Sequence, residues 1–149
     1  MTITPYPTML RVGSQTVDLT TPVVMTIINV TPDSFYAVSR TASADAIAER
    51  VRQAAEEGAA ILDVGGYSSR PGADDVPPEE ETRRLALALE VIRRETPQLP
   101  VSLDTFRSAV AERIIRDYGP CIINDITGGE ADPKMFETTA RLGVPYIVM

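Results

Sequence analysis

The sequence contains no histidine and a single cysteine, Cys121, and these two scarcities remove many common mechanisms at once. One cysteine can form neither an internal disulfide nor a cysteine-based zinc site. Without histidine, the chain lacks the usual general base near neutral pH and the commonest transition-metal ligand. Positive charge is also scarce: 14 basic residues stand against 21 acidic ones, a net charge of -7 at pH 7. That balance argues against nucleic acid or an anionic membrane as the main partner. An anionic ligand would have to be met by positive groups placed locally. No apolar run approaches the roughly 18 residues of a membrane span, and the opening MTITPYPTML has neither the basic start nor the continuous apolar core of a signal peptide. A soluble, cytoplasmic protein is the expectation. Internal repeats, low-complexity tracts and linkers are missing too, so 149 residues with 44% apolar content read as one domain able to build a core.

What is present is an alternation. MLRVGSQTVDL reads as a short hairpin turning at Gly13 and Ser14. PVVMTIINV, rich in valine and isoleucine and bounded by Pro22 and Pro32, reads as a strand apolar enough to be buried on both faces. A helix follows, with Ser43 as its expected cap, Ile47, Val51, Ala54 and Ala55 at helical spacing, and Gly58 as its stop. AAILDVGG is the next strand. A second helix starts near Pro77 and Pro78, carries Glu79, Glu80 and Glu81 in its first turn, buries Leu85, Leu89 and Ile92, and ends on Arg93 and Arg94. LPVSLD is a strand, SAVAERIIRDYG a helix with Val110, Ile114 and Tyr118 on one face, and CIINDI a strand. Asp132 and Pro133 open a fourth helix that runs to Gly143, and VPYIVM is a fifth strand after the hairpin. Apolar strands separated by amphipathic helices imply a parallel sheet covered by helices. Two architectures fit: an open doubly wound sheet, or the first half of a (β/α)8 barrel, which needs about 250 residues in full.

The strands end on polar side chains: Asn29, Asp63, Asp104, and Asn124 with Asp125. In both architectures ligands bind at the carboxyl ends of the strands, where side chains from several strands converge. For any one of these residues, a helix cap or a turn pinned by an Asx hydrogen bond is an equally good reading. For all of them together, binding is the better one, because Asp63, Asp104 and Asn124 sit within apolar runs, where a carboxylate or amide needs a partner. After the second of these strands comes GGYSSRPG, with glycines that allow close backbone approach, two serine hydroxyls and the planar cation of Arg70. A Gly-Pro-rich loop can carry one surface arginine without function. The stretch matches neither a Walker motif nor the dinucleotide fingerprint.

Four stretches taken together, NVTPDSF, DVGGYSSRPGA, SLDTFRSAV and IINDITGG, resemble the successive motifs of the dihydropteroate synthase family, in the family's order. The resemblance runs from Met25 to the end of the chain. It implies an α/β fold, the (β/α)8 TIM barrel, of which residues 1–149 would form about the first half plus the N-terminal hairpin. It also implies a transferase of folate biosynthesis that joins 6-hydroxymethyl-7,8-dihydropterin pyrophosphate to p-aminobenzoate with release of pyrophosphate, a sulfonamide target that is a homodimer when full length. In that frame Asn29 helps hold Mg²⁺ and the pyrophosphate, as an amide oxygen can beside phosphate oxygens. Asp104 and Asn124 form the pterin-binding pair, joined by Asp63. Thr31, Asp33 and Ser34 belong to a first mobile loop and Ser69 and Arg70 to a second, on the pyrophosphate side; serine stands at position 69 where the family usually has threonine. Asn29, Arg70 and Asp104 are the residues expected to carry the chemistry. No protein nucleophile is needed, since departure of pyrophosphate leaves a delocalised cation that the amine attacks.

Two departures accompany the resemblance. The family continues after NVTPDSF with Ser-Asp-Gly-Gly, whereas this chain has Tyr36-Ala37-Val38-Ser39-Arg40, a bulkier loop. The family's later aspartate, lysine and Arg-x-His pair lie beyond residue 149, so the chain is read as the N-terminal portion of a longer enzyme. Two other readings share the barrel: a pterin-binding methyltransferase that works with a corrinoid partner, and a paralogue that binds pterin without chemistry. A methyltransferase has no need of a pyrophosphate grip, so Asn29 and the SSRPG loop count against it.

Overall fold

The computed structural model describes residues 8–30, 40–67 and 75–149, and for residues 40–42 the backbone alone. Strands β1 (Met9–Val12) and β2 (Gln15–Asp18) pair antiparallel as the expected hairpin, with Gly13 at a φ of 60° in its turn. The chain then alternates through β3 (Met25–Asn29), α1 (Arg40–Glu56), β4 (Ile61–Gly65), α2 (Pro78–Glu95), β5 (Val101–Asp104), α3 (Ser108–Tyr118), β6 (Ile122–Asp125), α4 (Lys134–Leu142) and β7 (Tyr146–Val148).

The ends of these helices follow from local chemistry. In α2, Pro78 occupies the start, where its missing N–H costs nothing, and glutamates in the first turn with arginines in the last match the helix dipole. Asp132 serves two helices at once: one carboxylate oxygen accepts the Lys134 N–H at 3.1 Å and the other the Ser108 N–H at 2.8 Å. Gly143 closes α4 in the left-handed conformation. Ser43 is a correction. It lies inside α1, which begins at Arg40, because the alanine-bearing run around it favours helix on both sides and gives the serine no boundary to cap.

Strand order separates the two architectures. β3 to β7 form one parallel sheet in strict sequence order, whereas a doubly wound sheet reverses direction partway through. Consecutive helices pack on one another and share a single core with the outward strand residues. Ile28, Leu62, Val64, Val101, Leu103 and Ile123 meet Ile47, Val51, Leu85, Leu89, Ile92, Val110, Ile114 and Met135. All four helices therefore lie on one face, which is the arrangement of a (β/α)8 barrel wall. The other face of the sheet has its own small cluster: Val12 and Val17 of the hairpin pack on Ile61 and Ile122, with Met25 and Ile147 alongside. The hairpin thus covers the amino-terminal end of the barrel interior, and the carboxyl ends of the strands are left for polar side chains.

β3 is not buried on both faces. Ile28 is fully buried under the helices, but Ile27 on the inner face is 60% exposed, since nothing among the described residues lies across the interior from it. Val24 and Val148, next to or on the two outer strands of the sheet, are exposed to 60% and 58%. Unpaired strand edges beside apolar surface are templates for association. Residues 1–149 expressed alone are therefore expected to self-associate. Sedimentation across a dilution series should show masses above the 16.2 kDa monomer, reduced by Ile27→Lys; a monodisperse monomer at all concentrations would contradict the exposed-edge account.

Candidate active site

Side chains alternate across a strand, so residues two apart share a face. On the inner face this places Asn29, Gly65, Asp104 and Asn124 in one row, because Asn29 pairs with Gly65, Gly65 with Asp104, and Asp104 with Asn124. One layer deeper, Asp63 pairs with Ser102 and Ser102 with Ile122. Asp63 is therefore mid-strand and buried, a step below the strand ends where the sequence pattern put it.

Glycine at position 65 is what lets the upper row close up. A Cβ there would lie 3.2 Å from Asp104 Oδ2 and 3.5 Å from Asn29 Oδ1, so both oxygens lean into the space that a side chain would fill. Asn29 and Asp104 thus approach one another although a strand separates them. On the far side, the Asn124 amide donates to Asp63 Oδ2 at 3.2 Å, which ties the two layers together and leaves Asn124 Oδ1 facing away. Asp63 Oδ1, Ser102 Oγ and Asn124 Oδ1 are all buried without a hydrogen-bond partner. Buried polar atoms are ordinarily satisfied, and three orphans on three adjacent strands mark a place for a ligand edge. Two of the three accept only, and Asp104 adds a carboxylate, so the fitting edge is one rich in N–H donors.

The electrostatics agree. Burial first, and then the negative charges of Asp63, Glu81 and Asp125, together raise the Asp104 carboxyl to about 6. Burial also raises Asp63, countered by the Asn124 amide that donates to it. A donor-rich or cationic group placed among these acids would relieve both.

Asp125 takes the structural reading. It faces away from Asn124 and accepts from the Thr127 N–H and hydroxyl, both at 2.8 Å, the Gly129 N–H at 2.9 Å and the Tyr146 hydroxyl at 2.8 Å. Burial opposes its charge, but these donors hold its carboxyl below the ordinary range, while burial, together with the contact to Asp125, pushes Tyr146 up to about 12. It pins the TGG turn, where Gly128 and Gly129 adopt φ of 60° and 86°. Cys121 is buried and its thiol pushed up to about 11 by burial, which makes it an inert packing residue.

Of the residues singled out in the sequence, Asn29, Asp63, Asp104 and Asn124 are brought together. Thr31, Asp33, Ser34, Ser69 and Arg70 lie outside the described residues, as do positions 36–39 of the bulky loop. Ser102 was missed, although its spacing of two from Asp104 in VSLD put it on the same face.

The family model for the pterin binding enzyme matches residues 25–149. The chain belongs to this family. Among curated relatives it is 40% identical over 126 residues to a dihydropteroate synthase of Bacillus subtilis, which covers 85% of this chain and 44% of that protein. It is 44% identical over 126 residues to a folic acid synthesis protein of Pneumocystis carinii, covering 85% of this chain and 17% of the relative. Among solved structures, the dihydropteroate synthase of Xanthomonas albilineans with 4-aminobenzoic acid superposes with a TM-score of 0.83 at 40% identity, over 95% of this chain and 51% of that one. The chain thus spans about half the length of the solved family members it matches, or less of the curated ones, and the fold is the first half of the family's barrel wall.

Asp104 gives a pH test. Its proton is held more tightly in the fold than in the unfolded chain, so this group's contribution to stability falls as pH rises from the ordinary carboxylate range of about 4 to about 6, and is flat above. Asp104→Asn removes that loss. Thermal melting should show the variant more stable than the parent at pH 8, with the difference gone by about pH 4; an equal difference at both pH values would refute the raised carboxyl.

Proposed function

We propose that this chain supplies the pterin-holding part of a dihydropteroate synthase, which condenses 6-hydroxymethyl-7,8-dihydropterin pyrophosphate with p-aminobenzoate to give 7,8-dihydropteroate and pyrophosphate. The observation that carries the reading is the set of orphaned acceptors, Asp63 Oδ1 and Asn124 Oδ1 with Asp104 beside them. They suit the amino and ring N–H donors of an aminopterin. Support comes also from the family. Its Xanthomonas albilineans member is described in complex with 7,8-dihydropteroate at 37% identity to this chain, and its Yersinia pestis member with a sulfonamide drug at 34%.

In this reading Asp104 and Asn124, with Asp63 and Ser102 one layer below, hold the ring edge and orient it along the barrel axis. Asp104 sits at the upper row, and its carboxylate stabilises the cationic ring that forms as the bond from the methylene carbon to the pyrophosphate oxygen breaks. The p-aminobenzoate nitrogen then bonds to that carbon and gives up a proton. Asn29, at the outer end of the row, faces the leaving group, with Thr31, Asp33, Ser34, Ser69 and Arg70 assigned to the same side. Mg²⁺ belongs to this proposal. The described residues contain no group of three or more acidic or cysteine side chains able to cage a cation, but the Asn29 and Asp104 oxygens that lean toward one point are hard donors of the kind Mg²⁺ takes alongside substrate phosphates. When bound it would neutralise charge on the departing pyrophosphate.

A homodimer and a cytoplasmic location are part of the same proposal. Among the described residues no helix is long and apolar enough to cross a membrane, and the names of two relatives place them in mitochondria. Analytical ultracentrifugation and cell fractionation of the full-length protein test these two points.

In the full-length protein carrying this chain, Asp104→Ala and Asn124→Ala should each weaken pterin binding by about 1–3 kcal/mol, the cost of stranding a buried ring donor or acceptor. Chelation of Mg²⁺ should weaken the pyrophosphate-bearing pterin and spare the ring alone, and residues 1–149 by themselves should form no dihydropteroate. Calorimetry and a dihydropteroate assay check these outcomes. Normal pterin affinity in both alanine variants would assign the two residues to structure instead.

A further inference from the structure

Arg107 is used by nothing described so far, yet its guanidinium has several partners near the rim of the site. It leaves the chain three residues after Asp104, where its N–H is turned by a 3.2 Å hydrogen bond to the Thr105 hydroxyl. Nη1 donates to Glu81 Oε2 at 2.5 Å, and Glu81 is fully buried in the first turn of α2. The guanidinium carbon lies 5.2 Å from the centre of the Tyr67 ring and 4.9 Å from that of Phe106, and the two rings meet edge to face at 5.2 Å. Nη2 lies 3.6 Å from Asp75 Oδ1.

These partners are distributed in a telling way along the sequence. Tyr67 lies at the start of the connection between β4 and α2, Asp75 near its end, and Glu81 in the helix that follows. Gly66 adds a close approach: a Cβ there would lie 3.1 Å from the Glu81 carbonyl oxygen, so the start of the connection is pressed against the turn that carries the ion pair. One side chain thus contacts both ends of the connection bearing Ser69 and Arg70, and reaches them from the turn between β5, which supplies Asp104, and α3.

We propose that Arg107 is a positioning residue for the β4–α2 connection, setting where its two ends sit relative to Asp104 and thereby the grip on the pyrophosphate of the substrate. This rests on the dihydropteroate synthase reading. The contacts are unequal. The pair with Glu81 is the strong one, because a buried carboxylate deprived of its cation is heavily penalised, and the stack with Tyr67 is strengthened by desolvation. The contact with Asp75, whose side chain is 86% exposed, is weak and solvent-screened. Arg107 therefore fixes the Tyr67 end and steers the Asp75 end. Lysine would keep the charge and lose the planar fork that pairs and stacks at once.

A merely structural role would affect every ligand alike, and a positioning role will not. In the full-length protein carrying this chain, calorimetry compares the pterin pyrophosphate with the same pterin lacking the pyrophosphate. Arg107→Met should weaken the pyrophosphate form by about tenfold or more, the scale expected when a positioned contact is displaced, and leave the ring alone within about twofold. Arg107→Lys should fall between. Asp75→Asn alters an exposed side chain and leaves folding intact; it should give a smaller loss with the same selectivity. Equal losses for both ligands in Arg107→Lys and Asp75→Asn, or no loss in either, overturn the proposal. A parent protein that binds neither ligand overturns the dihydropteroate synthase reading itself.

Discussion

Strand register is the constraint on which the site depends. Asn29, Gly65, Asp104 and Asn124 come from four strands, and they meet because β3, β4, β5 and β6 pair so that these four residues stand side by side. A slip of one residue in any strand would turn its polar side chain toward the helices and an aliphatic one toward the pocket. The cost of such a slip is large. An unpartnered amide moved into an apolar core loses roughly 2–7 kcal/mol, against a total stability of about 5–15 kcal/mol for a whole domain. Ile28, Val64, Leu103 and Ile123, all buried under the helices, are thus as responsible for the site as the residues that face it.

That division of labour also decides which forces hold the molecule. The ion pairs Arg113–Asp117 and Arg116–Glu112 run along α3 with their arginines 65% exposed, and pairs of that kind contribute only about 0–1 kcal/mol. Truncating one buried leucine or isoleucine to alanine costs about 2–5 kcal/mol, so the sheet-to-helix core sets the stability. The inner face can then keep unsatisfied acceptors and two neighbouring carboxylates, a locally unfavourable arrangement. Asp104 registers the tension as a raised carboxyl.

Much of this was legible in the sequence, for reasons that are local. Strands and helices announced themselves through periodicity, Pro78 and Gly143 through their backbone limits, and Asn29, Asp104 and Asn124 through being polar residues where apolar runs end. What escaped depended on neighbours distant in sequence. The depth of Asp63 is set by its register against β5, and the importance of Gly65 by the two oxygens flanking it from other strands. The partnership of Glu81 with Arg107 spans 26 positions, and no periodicity links them. Ser102 could have been found by counting in twos from Asp104. Asp125 ends its strand beside Asn124, but adjacent residues in a strand face opposite ways, and its four donors occupy it fully.

The hairpin of β1 and β2 has a consequence for traffic. Val12 and Val17 close the amino-terminal end of the sheet's inner face against Ile61 and Ile122, so among the described residues the polar row is open only toward the carboxyl ends of the strands. Anything resting on Asp63 is therefore approached past the upper row of Asn29, Asp104 and Asn124.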